Sequence, residues 1–222
     1  MKIVKILFCL FVIISTEADG QNQSVSLVDF VNPLVGSDSA FELSNGNTYP
    51  AIATPWGMNF WTPQTGEMGN GWGYTYDANK IRGFKQTHQP SPWINDYAAF
   101  SLFPETGKLE VNEDERASWF SHKAEISKPH YYKVYLADYD VTTEIVPTER
   151  GAQFQFTFPK TDNAHVLVDG FFKGSMVKVF PKERKIVGYC RNNAGGVPEN
   201  FHKYFVIYFY KDFEPSQTWK TN

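Results

Sequence analysis

At 222 residues, 42% hydrophobic, 17% aromatic and 20% charged, the chain is long enough for one large domain and too apolar for a disordered tail or a coiled coil. Its formal net charge of -3, with no block of Lys or Arg, provides no electrostatic footprint for nucleic acid or an acidic membrane surface, so a neutral partner is expected. Nineteen Phe, twelve Tyr and six Trp supply flat faces that suit a core and also suit stacking on sugar rings.

The first twenty residues, MKIVKILFCLFVIISTEADG, place Lys2 and Lys5 before an apolar run from Ile6 to Ile14 and then small and polar residues. This is the layout of a secretory signal peptide, too short to span a bilayer. Cleavage after Ala18 or Gly20 is expected, with the signal taken as residues 1 to 20; it predicts an exported chain, secreted or periplasmic, and leaves Cys190 as a small buried hydrophobe in a strand without a disulfide partner. Five scattered His, with no HExxH or CxxC pair, predict no local metal site.

Residues 32 to 97 are rich in Gly, Pro, Asn and Trp and predict long loops, the parts of a rigid scaffold that carry sites. VNPLVGSDSA (31 to 40) opens on an Asn-Pro turn. GNTYPAIATPWGMNFWTPQT (46 to 65) predicts rigid turns packed by Trp56 and Trp61, with Asn47, Thr48 and Asn59 as directional hydrogen-bonding groups. In GNGWGYTYD (69 to 77), Trp72 lies between glycines and is either sunk into the core or presented at a surface, while Tyr74 and Tyr76 alternate as strand residues do. GFKQTHQPSPWINDY (83 to 97) reads as a proline-stiffened segment, because Pro90 and Pro92 bias Gln89 and Ser91 toward extended backbone. His88, Trp93 and Asn95 form a site only if they face one cleft.

From about Phe100 the chain predicts short strands at a spacing near ten residues: 119 to 126, 131 to 137, 141 to 146, 152 to 158, 165 to 172, 175 to 180 and 184 to 190. Ala152, Phe154, Phe156 and Phe158 alternate with Gln153, Gln155 and Thr157, the period of a strand with one buried face. KYFVIYFY (203 to 210) is apolar almost throughout and predicts a central strand covered on both faces. The expected fold is an all-β, two-sheet antiparallel β-sandwich with long Gly/Pro/Trp-rich loops in its N-terminal half. Glu42, Asp77, Asp96, Glu110 and Glu144 are candidate carboxylates for glycoside hydrolysis, but no pair is singled out, and no GxSxG elbow supports a serine triad.

Taken together, VNPLVGSD, GNTYPAIATPWGMNFWTPQT, GYTYDANKIRGFKQTHQPSPWINDYAAFSLFP and SHKAEISKPHYYKVYLADYDVTTEIVPTERGAQFQFTFP resemble, in order, the N-terminal part of glycoside hydrolase family 92, the exo-acting α-mannosidases. The resemblance runs from about Val31 to Phe213. It implies a two-domain enzyme, secreted or periplasmic, whose N-terminal β-sandwich packs on a C-terminal α/α-toroid. It also implies calcium-dependent release of mannose from α-mannoside glycans with inversion, a Glu acting as general acid and an Asp as general base.

On that likeness the catalytic groups and calcium ligands belong to the toroid, which lies beyond residue 222. Calcium is then a cofactor of the full-length enzyme and is not held by residues 21 to 222. The sandwich is left to shape the leaving-group side of the pocket, at positions matching Asn47, Trp72, His88 and Trp93. This chain reads GNGWGYTY and HQPSPW where relatives that cleave α-1,2 links carry GWDACSGY-like and HLSGTG stretches, so the linkage stays open. The competing expectations are a stand-alone secreted carbohydrate-binding β-sandwich without catalysis, or a purely structural remnant.

Overall fold

The alternation read in the C-terminal half does form strands. The structure, a computed structural model, describes residues 26–38, 48–66, 73–87, 97, 99–171, 174–193, 195–215 and 217–220. The expected signal segment lies outside these residues. The described part contains thirteen strands in antiparallel sheets, two short 3-10 turns and no α-helix.

Two four-stranded sheets face each other. The first has the order β1 (Phe60–Gln64), β3 (Gly83–Thr87), β4 (Phe100–Thr106), β10 (Ala164–Asp169). The second is a meander of β6 (Ile126–Lys128), β7 (Tyr131–Leu136), β8 (Val141–Pro147) and β9 (Ala152–Thr157). Their facing sides interlock through aromatic rings. Trp61 meets Phe154 edge to face at 4.8 Å, and Phe84 lies 6.3 Å from Tyr132 and 6.5 Å from Phe154. These contacts, with Val134, Leu136 and Ile145 behind them, make the sandwich core and bear out the all-β expectation. Burial alternates along β7 and β8 as a half-buried meander requires.

A two-stranded ribbon, β2 (Lys80–Ile81) with β5 (Ser118–Trp119), and a three-stranded sheet, β11 (Met176–Phe180), β12 (Lys185–Cys190), β13 (Lys203–Tyr208), complete the described fold. Cys190 ends β12 fully buried, as expected, and burial pushes its thiol up to about 12, well out of the reactive range. The expectation for KYFVIYFY is corrected. The strand stops at Tyr208 and pairs only with β12 among the described strands. Its inward face carries Phe205, stacked on Phe100 at 4.3 Å, while Tyr204, Val206 and Tyr208 are exposed. An apolar run therefore misled because aromatic and β-branched residues occupy the outer face as well.

Two further corrections concern local structure. Residues 119 to 126 are not one strand, because the chain leaves β5 at Trp119, turns with Ala124 N–H donating to Ser121 O, and re-enters a sheet at Ile126. Tyr74 and Tyr76 lie in a turn segment outside any strand.

The other face of the first sheet is polar yet buried. Thr62, Gln64, Lys85, Thr87, Ser101 and Glu105 are all screened from water, and Arg116 is covered with them. Arg116 donates to the backbone oxygens of Arg82 and Val111 and pairs with Asp169 at 2.9 Å, which clamps the segment after β4 onto the sheet. Glu105 accepts from Glu110 N–H at 3.0 Å, but its second carboxyl oxygen has no partner. Burial pushes the Glu105 carboxyl up to about 7, against the opposing pull of that hydrogen bond and of Arg116.

The folded chain thus binds this proton more tightly than the unfolded chain does. The contribution is full below the ordinary carboxylate range and is lost as pH rises through about 7. Glu105→Gln should flatten that slope and raise stability above pH 7 by on the order of 1 to 3 kcal/mol. Urea denaturation at pH 5 and pH 8 checks it, and an unchanged pH difference in the variant would exclude Glu105 as its source.

Candidate functional site

Asn47, Trp72, His88 and Trp93 all lie outside the described residues, and so do Glu42, Asn95 and Asp96. What the structure fixes is the chain on either side of them. Thr48 N–H donates to Gly36 O and its hydroxyl to Val35 O, so the residue after Asn47 is tied to the turn at 32–37. The segment after Trp72 meets the same turn, since Tyr76 N–H donates to Ser37 O. Gly73 O in turn accepts from Thr65 N–H at 2.9 Å, just past the end of β1. The flanks of Asn47 and Trp72 are therefore brought together.

The flanks of His88 and Trp93 are elsewhere. Thr87 ends β3 opposite Phe60, whereas Gly83 at the other end of β3 pairs with Gln64. Those two ends are about 13 Å apart at the usual rise of a strand. Tyr97, on the far side of Trp93, donates to Gly195 O at 2.8 Å and packs edge to face on Phe201. One pair of flanks thus sits at each end of the first sheet.

A buried polar cluster fixes the 73–77 segment. Glu125 is fully covered, and its carboxylate accepts from Tyr132 OH at 2.6 Å and from Tyr74 OH at 3.3 Å. Its other oxygen pairs with His122 Nδ1 at 2.6 Å, and His122 Nε2 donates to Tyr76 O at 2.7 Å. A carbonyl only accepts, so that contact places a proton on His122 Nε2. The imidazole also stacks on the Tyr76 ring at 4.0 Å. Burial first, and the Glu125 charge second, push the Tyr74 and Tyr132 hydroxyls upward, so both remain donors. The cluster holds together a turn, a loop and β7. The Ser-His-x-x-Glu spacing carried the signal for it, because residues three apart in a tight turn can face one another.

The segment 46 to 65 departs from expectation in two residues, Trp56 and Asn59. Trp61 packs the core as expected, but Trp56 is 99% exposed and has φ +60. Asn59 is buried, not displayed, with Nδ2 donating to Glu149 O at 3.3 Å. Two of the described candidate carboxylates, Glu144 and Glu110, serve local structure, and Asp77 is exposed. Tyr131 OH donates to Glu144, Gln155 reaches the same side chain at 3.5 Å, and Glu110 accepts from Asn112 N–H at 3.2 Å. Among the described residues no group of three or more His, Cys, Asp and Glu is arranged to hold a metal ion. No helix among them is long and apolar enough to cross a membrane.

Residues 30–222 match the model of the glycosyl hydrolase family 92 N-terminal domain. The chain belongs to glycosyl hydrolase family 92. Its fold is similar to that of a family 92 inverting mannosidase from Bacteroides thetaiotaomicron, with 49% identity and a TM-score of 0.76 over 81% of this chain and 24% of that one. A family 92 α-mannosidase from the same organism is 30% identical, with a TM-score of 0.71 over 83% of this chain and 26% of that one. The latter has also been solved in complex with mannoimidazole. The chain therefore spans about a quarter of the length of the solved family 92 chains it matches. No curated protein sequence matches it.

Proposed function

We propose that this chain is the N-terminal β-sandwich domain of a secreted α-mannosidase that hydrolyses terminal α-linked mannose from glycans with inversion, and that residues 21 to 222 alone are not catalytic. The observation that carries the reading is the 49% identity to an inverting mannosidase over four-fifths of the chain. The charge balance suits a neutral glycan, and the signal-like first twenty residues suit export.

In this reading the general acid, the general base and calcium are supplied by a C-terminal α/α-toroid. The sandwich supplies loops that close the leaving-group side, with Asn47, Trp72, His88 and Trp93 toward the glycan. The tied flanks of Asn47 and Trp72 support a shared role for those two residues.

Comparing two preparations on a panel of α-linked mannobioses tests the division of labour. The chain alone should release no mannose, and the polypeptide read through from its own gene should release it. Turnover by the isolated 222 residues would overturn the assignment of catalysis to the other domain.

A further inference from the structure

Gly83 opens β3 on the covered polar face of the first sheet, with β1 on one side and β4 on the other. Its φ is not positive, so no left-handed backbone calls for glycine there. Its neighbours supply a different reason. A Cβ on residue 83 would meet Ser101 Oγ at 2.9 Å and Gln64 Oε1 at 3.2 Å, so something would have to shift to admit it. Two oxygens from the flanking strands thus converge on the point where a side chain would begin, as glycine in a sheet allows when a ligand or another chain comes close.

Both oxygens are buried without a partner. Gln64 is 1% exposed and Ser101 0%, and neither Gln64 Oε1 nor Ser101 Oγ makes a hydrogen bond within the protein. The Gln64 amide is held in this sense, because its Nε2 donates to Gly66 O at 3.0 Å and the flipped amide would set oxygen against a carbonyl. Gln64 Oε1 can only accept, and the Ser101 hydroxyl can both donate and accept. A buried polar atom left unpaired costs about 1 to 3 kcal/mol, and folded proteins meet such atoms with internal water where no protein group reaches them.

We propose that Gly83, Gln64 and Ser101 form the site of one structural water, which donates to Gln64 Oε1 and bonds Ser101 Oγ, joining β1 to β4 across β3. Lys85 lies on the same face directly opposite Ser101, and its positive charge favours a neutral occupant over a cation. The water supports the exit of β1, since Gln64 O accepts from Arg82 N–H at 2.7 Å while the same residue's amide holds Gly66 O. The inference does not depend on the mannosidase reading.

A crystal structure of the chain at a resolution that shows ordered solvent should place one water within hydrogen-bond distance of both Gln64 Oε1 and Ser101 Oγ. A Ser101 hydroxyl bonded directly to Gln64 or to a backbone carbonyl, with no solvent peak between the two side chains, would overturn the proposal. Thermal melts of two variants read the site in solution. Gly83→Ala and Gly83→Ser add the same Cβ, hence the same crowding, and both expel the water, but only the serine hydroxyl can take over its bond to Gln64 Oε1. The serine variant should melt above the alanine variant, and both below the unaltered chain. A serine variant no more stable than alanine, or an alanine variant as stable as the unaltered chain, would count against the water; if neither variant folds, the crystal structure of the unaltered chain decides.

Discussion

Glu125→Leu should cost about 3 to 5 kcal/mol of unfolding free energy. The carboxylate is fully covered and is the shared partner of two buried phenols and an imidazole. Its removal leaves the Tyr74 and Tyr132 hydroxyls without an acceptor where water cannot replace it, and each orphaned hydroxyl carries a desolvation penalty of about 1 to 3 kcal/mol. Glu125→Gln keeps one acceptor oxygen and should lose less than the leucine variant. Tyr132→Phe removes one hydrogen bond and should cost about 1 kcal/mol. Urea denaturation of the three variants checks the ranking. Equal losses for Glu125→Leu and Tyr132→Phe would show that the cluster does not act through its shared carboxylate.

Trp61→Ala should cost about 3 to 5 kcal/mol by opening a cavity between the two four-stranded sheets. The indole sits where they meet, 4.8 Å from Phe154 and 5.6 Å from Phe100, with both rings set edge to face. Its Nε1 is buried without a hydrogen-bond partner. Trp61→Phe removes that unpaired donor while keeping most of the ring contact, so the phenylalanine variant should recover more than half of the loss. Thermal and urea unfolding measure both, and a phenylalanine variant as unstable as alanine would place the main value of Trp61 in its indole shape and not in the area it buries.

The sequence reading succeeded where one residue pattern had one structural meaning. Around residues 131 to 137, 141 to 146 and 152 to 158 the period of two matches β7, β8 and β9 closely, because each strand of that meander has one wet face. It failed where tertiary partners decide. Residues 119 to 126 look like a strand until Glu125 is seen to draw His122 and two tyrosines into a buried cluster, which needs a turn at Ser121. Residues 203 to 210 look central because composition does not distinguish an inward Phe205 from an outward Tyr204 or Tyr208, which are 74% and 69% exposed.

The candidate site divides in the same way. Loops rich in Gly, Pro and Trp were legible as a place for binding residues, and the hydrogen bonds from Thr48 and Tyr76 to one turn draw the flanks of two of the four together. The sequence points to packing at Trp56, because tryptophan in a rigid turn is usually covered. Only the backbone angle and the exposure, neither of which a sequence displays, single it out.

The most direct measurement of the central claim is the anomer of mannose first released from an α-linked mannobiose by the full polypeptide encoded with this chain, followed by 1H NMR before mutarotation. The assignment to an inverting α-mannosidase predicts β-mannose at the earliest time points, decaying toward the equilibrium mixture. Initial α-mannose, or no mannose from any α-linked substrate, would contradict it.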